Sequence, residues 1–171
     1  RLRSCRMVCL PRGTNKGASM PIAKITITRP ANATPYTAGD VVGATAAAFE
    51  LSGLTSGAEL LITGADLLIA DTAVPAGMTS FRLHLYDGTP ASALADNAVW
   101  DLPAGDRAAY LGYVDVGTPV DVGASLFVTT NELNRHVKAG ASLFAYLQTI
   151  GAFTPAGNSE VYTLTVRAAR L

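Results

Sequence analysis

The sequence predicts an all-β protein: an antiparallel β-sandwich, jelly-roll-like, of about 8–10 strands, with an extended N-terminal arm. Three observations carry this. Segments of about 5–9 residues alternate apolar and polar side chains along most of the chain, as half-buried strands do. Gly and Pro punctuate them at short intervals, which favours a sandwich or barrel over a helical fold. Beyond a turn or two, no stretch repeats at helical spacing. An immunoglobulin-like sandwich is the second choice of architecture.

The alternation begins at Met20. Residues 1–19, RLRSCRMVCLPRGTNKGAS, have neither a strand nor a helical period and read as a basic arm or leader. Residues 20–171 read as a single sandwich domain, and their length can bury a sizeable core. Met20 is a candidate natural start, with an arm that orders on a neighbour as the alternative.

The first strand covers about Ile22–Thr28 and stops at Pro30, before the loop PANATPYTAGD. A short extended piece is expected at 41–44. AAAFELSG could make one helical turn before Gly53 and Gly57 cut it short. In AELLITGADLLIAD, Leu60 and Ile62 alternate, Gly64 marks a bulge and DLLIAD is a short buried run. SFRLHLYDG is the cleanest strand: Phe81, Leu83 and Leu85 face one way, and Arg82, His84 and Tyr86 the other.

Residues 90–109 form the longest irregular stretch, with a short helix expected near Ser92–Ala95. A loop of that length inside a compact domain is usually functional or packed. It carries the sole tryptophan, Trp100. The residue reads as a plug over the core, with a contact anchor on a partner as the alternative. YLGYVDVG, ASLFVTT, SLFAYLQTI and EVYTLTVRA are the later strands. GASLF occurs at 123–127 and 140–144, each time entering a strand from a turn. The last strand, Pro-free and strongly patterned, is expected to pair centrally.

Charge is low and uneven. Of the 171 residues, 49% are hydrophobic and 15% charged, with zero formal net charge. Residues 1–19 carry Arg1, Arg3, Arg6, Arg12 and Lys16 with no acid, and so +5; the remainder carries −5. An acidic body lacks the basic footprint that phosphates need, so no specific nucleic acid is expected as a partner. No run approaches the roughly 18 apolar residues of a membrane helix. MVCL is too short for a secretion-signal core of about 7–15 residues.

Catalytic and metal-binding patterns are absent. Both cysteines, Cys5 and Cys9, lie in the leader, so the body has no disulfide framework and no thiolate zinc site. His84 and His136 stand without a nucleophile elbow, H-x-H or H-E-x-x-H pattern. Two pairs of aspartates near turns, Asp101 with Asp106 and Asp115 with Asp121, fall short of the six or more oxygens calcium takes. No cofactor, metal or catalytic residue is assigned. The aromatics Tyr36, Tyr86, Trp100, Tyr110, Tyr113, Tyr146 and Tyr162 are spread along the chain and read as packing residues.

The stretches ITITRPANATPYTAGDVVG, LHLYDGTPASALADNAVWDLP, YLGYVDV and LFAYLQTIGAFTPAGNSEVYTLTV together resemble a family of small virion-associated proteins of tailed bacteriophages and prophages. Some of these are capsid decoration (cement) proteins. The resemblance runs from about Pro21 to the end and omits the leader. It implies a non-enzymatic protein on the capsid surface of the virion, with the major capsid protein as partner. It also implies a homo-oligomer, such as a trimer at a three-fold position, and an arm that adds a strand to a neighbouring sheet. The expected contact residues are Arg3, Arg6 and Arg12 in the leader, Tyr36 and Asp40 in the first loop, and Trp100 and Arg107 in the long loop. Two competing functions stay open. A carbohydrate- or receptor-binding module of a tail or fibre needs exposed coplanar aromatics on one sheet face. A small hydrolase needs His84 beside a Ser or Asp in a cleft.

Overall fold

The computed structural model describes residues 22–44, 47–52, 57–140 and 142–171. The leader, with Arg3, Arg6 and Arg12, lies outside them. The described residues form two antiparallel sheets packed face to face. Nine strands are assigned: β1 (Ile22–Thr28), β2 (Phe49–Leu51), β3 (Glu59–Ile69), β4 (Phe81–Tyr86), β5 (Tyr110–Gly117), β6 (Val120–Asp121), β7 (Leu126–Lys138), β8 (Leu143–Thr149) and β9 (Val161–Arg170). One sheet has the order β1-β9-β3-β7-β6 and the other β2-β8-β4-β5. No helix among the described residues is long and apolar enough to cross a membrane.

Period-2 patterning fixes which face each strand buries. Ala23, Ile25 and Ile27 of β1 point inward, as do Tyr162, Leu164 and Val166 of β9 and Phe81, Leu83 and Leu85 of β4. β9 lies between β1 and β3, the central placement its pattern predicts. Both GASLF segments enter strands, at Leu126 and Leu143.

β3 is one continuous strand whose register shifts between Ile62 and Gly64. The bulge expected at Gly64 has a partner on β7. Ile62 pairs with Arg135 and Gly64 with Asn131, and Glu132 in the excess adopts φ +62°. A Cβ on Gly64 would collide with the Arg167 guanidinium. Its absence lets Arg167 lie across β3, where it ion-pairs with Asp66 and donates to Asn131 Oδ1 at 2.8 Å.

Three local expectations are corrected. AAAFELSG holds the short strand β2, because Phe49 and Leu51 pair with Ala145 and Leu143 on β8. No helix forms at Ser92–Ala95; the long loop holds a single 3-10 turn, at Ala104–Asp106. β7 continues to Lys138, well past the expected ASLFVTT, because its far half pairs with β3 beyond the bulge.

The two long loops form one layer. Residues 39–42 run along β8 beyond β2, with Gly39 N–H donating to Thr149 O and Val42 N–H to Leu147 O. The 87–109 segment pairs outside them: Asp96 N–H donates to Ala44 O, Val41 N–H to Ala98 O, and Trp100 N–H to Gly39 O. This strap then folds over the outer face of the four-stranded sheet. The outer face of the five-stranded sheet carries no such cover from the described loops.

Candidate functional site

The strap is seated by buried polar groups. Asp106, almost fully buried, accepts the N–H of Ala91 at 2.6 Å and of Ser92 at 3.2 Å. Burial opposes ionisation of its carboxyl, but the Ser92 hydroxyl and these two N–H groups outweigh it and hold the pKa below the usual range. Tyr146 donates to Ser92 O at 2.8 Å. Beneath the strap lies a second, smaller core of Val41, Ala44, Tyr86 and Tyr146, packed against Leu94, Trp100, Leu102 and Tyr110. Burial pushes the Tyr86 hydroxyl up to about 12, partly opposed by the Trp100 indole N–H. Among the described residues neither that hydroxyl nor the indole nitrogen meets a partner at hydrogen-bond geometry.

Trp100 covers His84. The rings stack with centroids 3.6 Å apart and planes 16° apart. The His84 ring is also held at both nitrogens: Nδ1 lies 2.9 Å from Tyr110 Oη, and Nε2 lies 3.0 Å from Gln148 Oε1. Gln148 commits its amide N–H to Gly39 O at 3.0 Å, so its oxygen faces the imidazole. That oxygen can only accept, which places the imidazole proton on Nε2 and leaves Nδ1 accepting from Tyr110. Burial lowers the His84 pKa to about 4, so the ring is neutral at pH 7. Neither ring nitrogen meets a Ser or an Asp, and the geometry required of a hydrolase is not met at His84. His136 is exposed and lies 3.8 Å from Glu59 on the neighbouring strand.

A second buried cluster sits at the end of β1. Arg29 is 1% exposed. Its Nε donates to Tyr36 Oη at 2.5 Å, and that hydroxyl donates to Asp96 Oδ1 at 2.5 Å. The two terminal nitrogens lie 4.0 Å from Asp96 and 3.9 Å from Glu160, without hydrogen-bonding either. Asp96 also accepts Gly43 N–H, and Glu160 accepts Gly157 N–H and the Tyr162 hydroxyl. The Tyr36 and Tyr162 hydroxyls are pushed well above their ordinary pKa, mainly by burial. One cation among two carboxylates and two neutral phenols ties β1, the first loop, the strap and the entry to β9 together.

These placements revise the expected contact set. Tyr36 (1% exposed) and Asp40 (3%) are interior residues, engaged by Arg29 and by Thr37, and are not on the surface of the domain. These two side chains turn inward, while Ala33, Thr34, Pro35, Thr37 and Ala38 of the same loop stay exposed. Trp100 is half-buried and plugs the outer core. Arg107 is exposed. Arg29, Asp96, Asp106, Gln148 and Glu160 carry the polar architecture; of these only Asp106 was singled out from sequence, and for a different role. Arg29 and Glu160 had a signal: each continues the inward period of its strand.

The exposed side of the strap face carries Val99 at 66% and Tyr113 at 44% exposure, with Arg82 lying over the Tyr113 ring and ion-paired to Asp115 at 2.9 Å. The exposed Tyr113 ring is tilted 55° to His84, and Tyr110 is tilted 43° to Trp100; the stacked pair, Trp100 on His84, is one ring covering another and not two rings side by side. An open cleft of about 400 Å³ lies elsewhere, between the β3–β4 and β8–β9 loops; Asp71, Thr72, Asn158, Ser159 and Glu160 line it without a histidine, lysine or arginine. The aspartates considered for calcium serve other ends: Asp106 holds the strap, Asp115 pairs with Arg82, and Asp101 and Asp121 accept nearby backbone N–H groups. Among the described residues no three His, Cys, Asp or Glu side chains converge on a metal-sized site.

No protein-family model matches the chain, and no curated protein matches it in sequence.

Proposed function

We propose that the protein is a non-enzymatic virion structural protein that decorates the outside of a phage head and bridges capsomers of the major capsid protein. The observation that carries the non-enzymatic part is the state of His84. It is neutral, capped by Trp100 and bonded at its nitrogens to Tyr110 and Gln148, with no Ser, Cys, Asp or Glu at either. The buried charges act likewise as fasteners between loops and strands. A rigid sandwich with sealed polar groups adds contact area without chemistry, which is what a shell under internal pressure needs from a clamp.

The virion assignment rests on the sequence resemblance, whose four stretches fall on β1 with its loop, β4 with the strap, β5, and β8 to β9. A jelly-roll-like winding belongs to the same proposal. It is supported by β1 to β4 alternating between the two sheets, by β7 to β9 doing so again, and by β6 joining only as a short edge hairpin. Viral capsid and lectin domains both use that winding. Exposed Tyr113 beside Arg82 and Asp115 favours, as a second reading, a glycan- or receptor-binding module of a tail or fibre.

The deciding experiment purifies intact heads of the encoding phage and identifies the chain by mass spectrometry. Decoration predicts a fixed stoichiometry on heads, and weaker retention when residues 1–19 are deleted. Recovery with tails instead, together with glycan binding abolished by Tyr113→Ala, would move the assignment to the second reading.

A further inference from the structure

The outer face of the five-stranded sheet has a composition that sets it apart. Register places Thr26, Thr163, Leu68, Phe127 and Val120 side by side in one row across all five strands. Leu68 is 40% and Val120 59% exposed, while Leu67 and Ile69 beside Leu68 are fully buried in the core. Directly opposed residues share a face, so the whole row points outward. The next row is Lys24, Thr165, Asp66 and Thr129. Asp66 is neutralised by Arg167 on the same face, which leaves Lys24, on the edge strand, as the one charge in these two rows without an ion-pair partner among the described residues. The four-stranded sheet has its outer face under the strap, so among the described residues this face is the uncovered one, and it is weakly charged in these two rows.

We propose that this face pairs with the same face of a second copy of the chain, as a two-fold sheet-on-sheet dimer. β3 lies at the centre of the strand order. A two-fold axis along it superposes the apolar row on itself: Leu68 meets Leu68, Phe127 meets Thr163, and Val120 meets Thr26. Aligned sheets pack this way at about −30° and roughly 10 Å apart. The four longer strands at ~4.8 Å and four outward rows at ~6.7 Å, with the single row of β6 beside them, give a face on the order of 500–600 Å². Two copies then bury about 1,000–1,200 Å², the lower bound for a specific interface, so the dimer is a weak one. This inference goes beyond decoration, and its symmetry differs from the three-fold that the sequence resemblance implies.

Sedimentation velocity of the full chain over a concentration series tests it, independently of any head preparation. The expected result is a reversible monomer–dimer equilibrium. Leu68→Glu and Val120→Glu shift it to monomer with little change in melting temperature, and Val99→Glu, on the strap, leaves the dimer intact. If Leu68→Glu fails to fold, Val120→Glu in the edge hairpin gives the same reading. A monomer at every concentration, a trimer, or a dimer indifferent to Leu68→Glu and Val120→Glu overturns the proposal. None of these results bears on whether the chain is found on heads.

Discussion

Trp100 lies flat on His84, 3.6 Å from ring to ring, and so converts the polar face of β4 into the floor of a second core. A fully buried Trp→Ala change costs about 3–5 kcal/mol. Trp100 is half-buried, so Trp100→Ala should cost less, roughly 2 kcal/mol of unfolding free energy by urea titration. Opening the cover also admits water to His84. Its imidazole pKa, followed by NMR, should rise from about 4 towards the ordinary value near 6.5. An unchanged titration would show that Trp100 is not what keeps the ring dry.

Stability should depend on pH through the same histidine. The fold holds His84 neutral down to about pH 4, whereas the unfolded chain takes up the proton near pH 6.5. Between those values the unfolded state binds the extra proton, so stability is full above about pH 6.5 and falls as pH drops towards 4. The loss is on the order of 3 kcal/mol. His84→Gln removes this titration and should flatten the slope between pH 6.5 and 4.5 in denaturant unfolding. A parent protein equally stable at both ends of that window would contradict the neutral, sealed state of His84.

The Arg29 cluster should behave as a buried ion network. Removing one partner of such a set typically costs about 3–5 kcal/mol, because the remaining charge stays in the interior unpaired. Arg29→Met leaves Asp96 and Glu160 without their cation and should lower stability by that order in urea titrations. Adding Glu160→Gln to Arg29→Met should recover part of the loss, a non-additivity expected of side chains in one network. Strict additivity would show that the 3.9 Å approach of Arg29 to Glu160 carries no coupling.

The same residues show what the sequence made legible. β1 and β9 match their expected spans to within a residue or two because alternation was unbroken and one face was buried; β5 matches its span although only Val114 and Val116 are buried and its register against β4 shifts beside Gly112. That periodicity, extended one step past β1 and one step before β9, puts Arg29 and Glu160 inside. Asp96 had no such signal, since it sits in an irregular strap whose path is set by hydrogen bonds to residues 39–44, far away in sequence. The far half of β7 was hidden for a different reason. Its bulge at Glu132 resets the alternation, and Asn131, Asn134, Arg135 and His136 are all exposed, so the segment shows no apolar period. His84 was read on the correct face of β4, but which loop covers that face is a tertiary fact that strand patterning does not encode.

The β3–β4 and β8–β9 loops approach too closely at Gly77 to admit a side chain. Gly77 has φ +84°, a left-handed conformation that costs a non-glycine residue about 1–2 kcal/mol. A Cβ there would also collide with the carbonyl oxygen of Ala152, and Gly151 meets the Gly77 carbonyl in return. Both neighbours are backbone, so neither can swing aside as a side-chain tip would. Gly77→Ala should therefore cost more than the conformational term alone, above about 2 kcal/mol, and should loosen the end of the sandwich where Met78 and Phe153 enter the core. Gly157→Ala is the matched control in the facing loop. Its Cβ would meet nothing within 4 Å, and no positive φ stands against it, so its melting temperature should stay at the parent value. Equal melting temperatures for the two variants would mean that the loops can part without loss, and that the contact between them does not hold the sandwich closed.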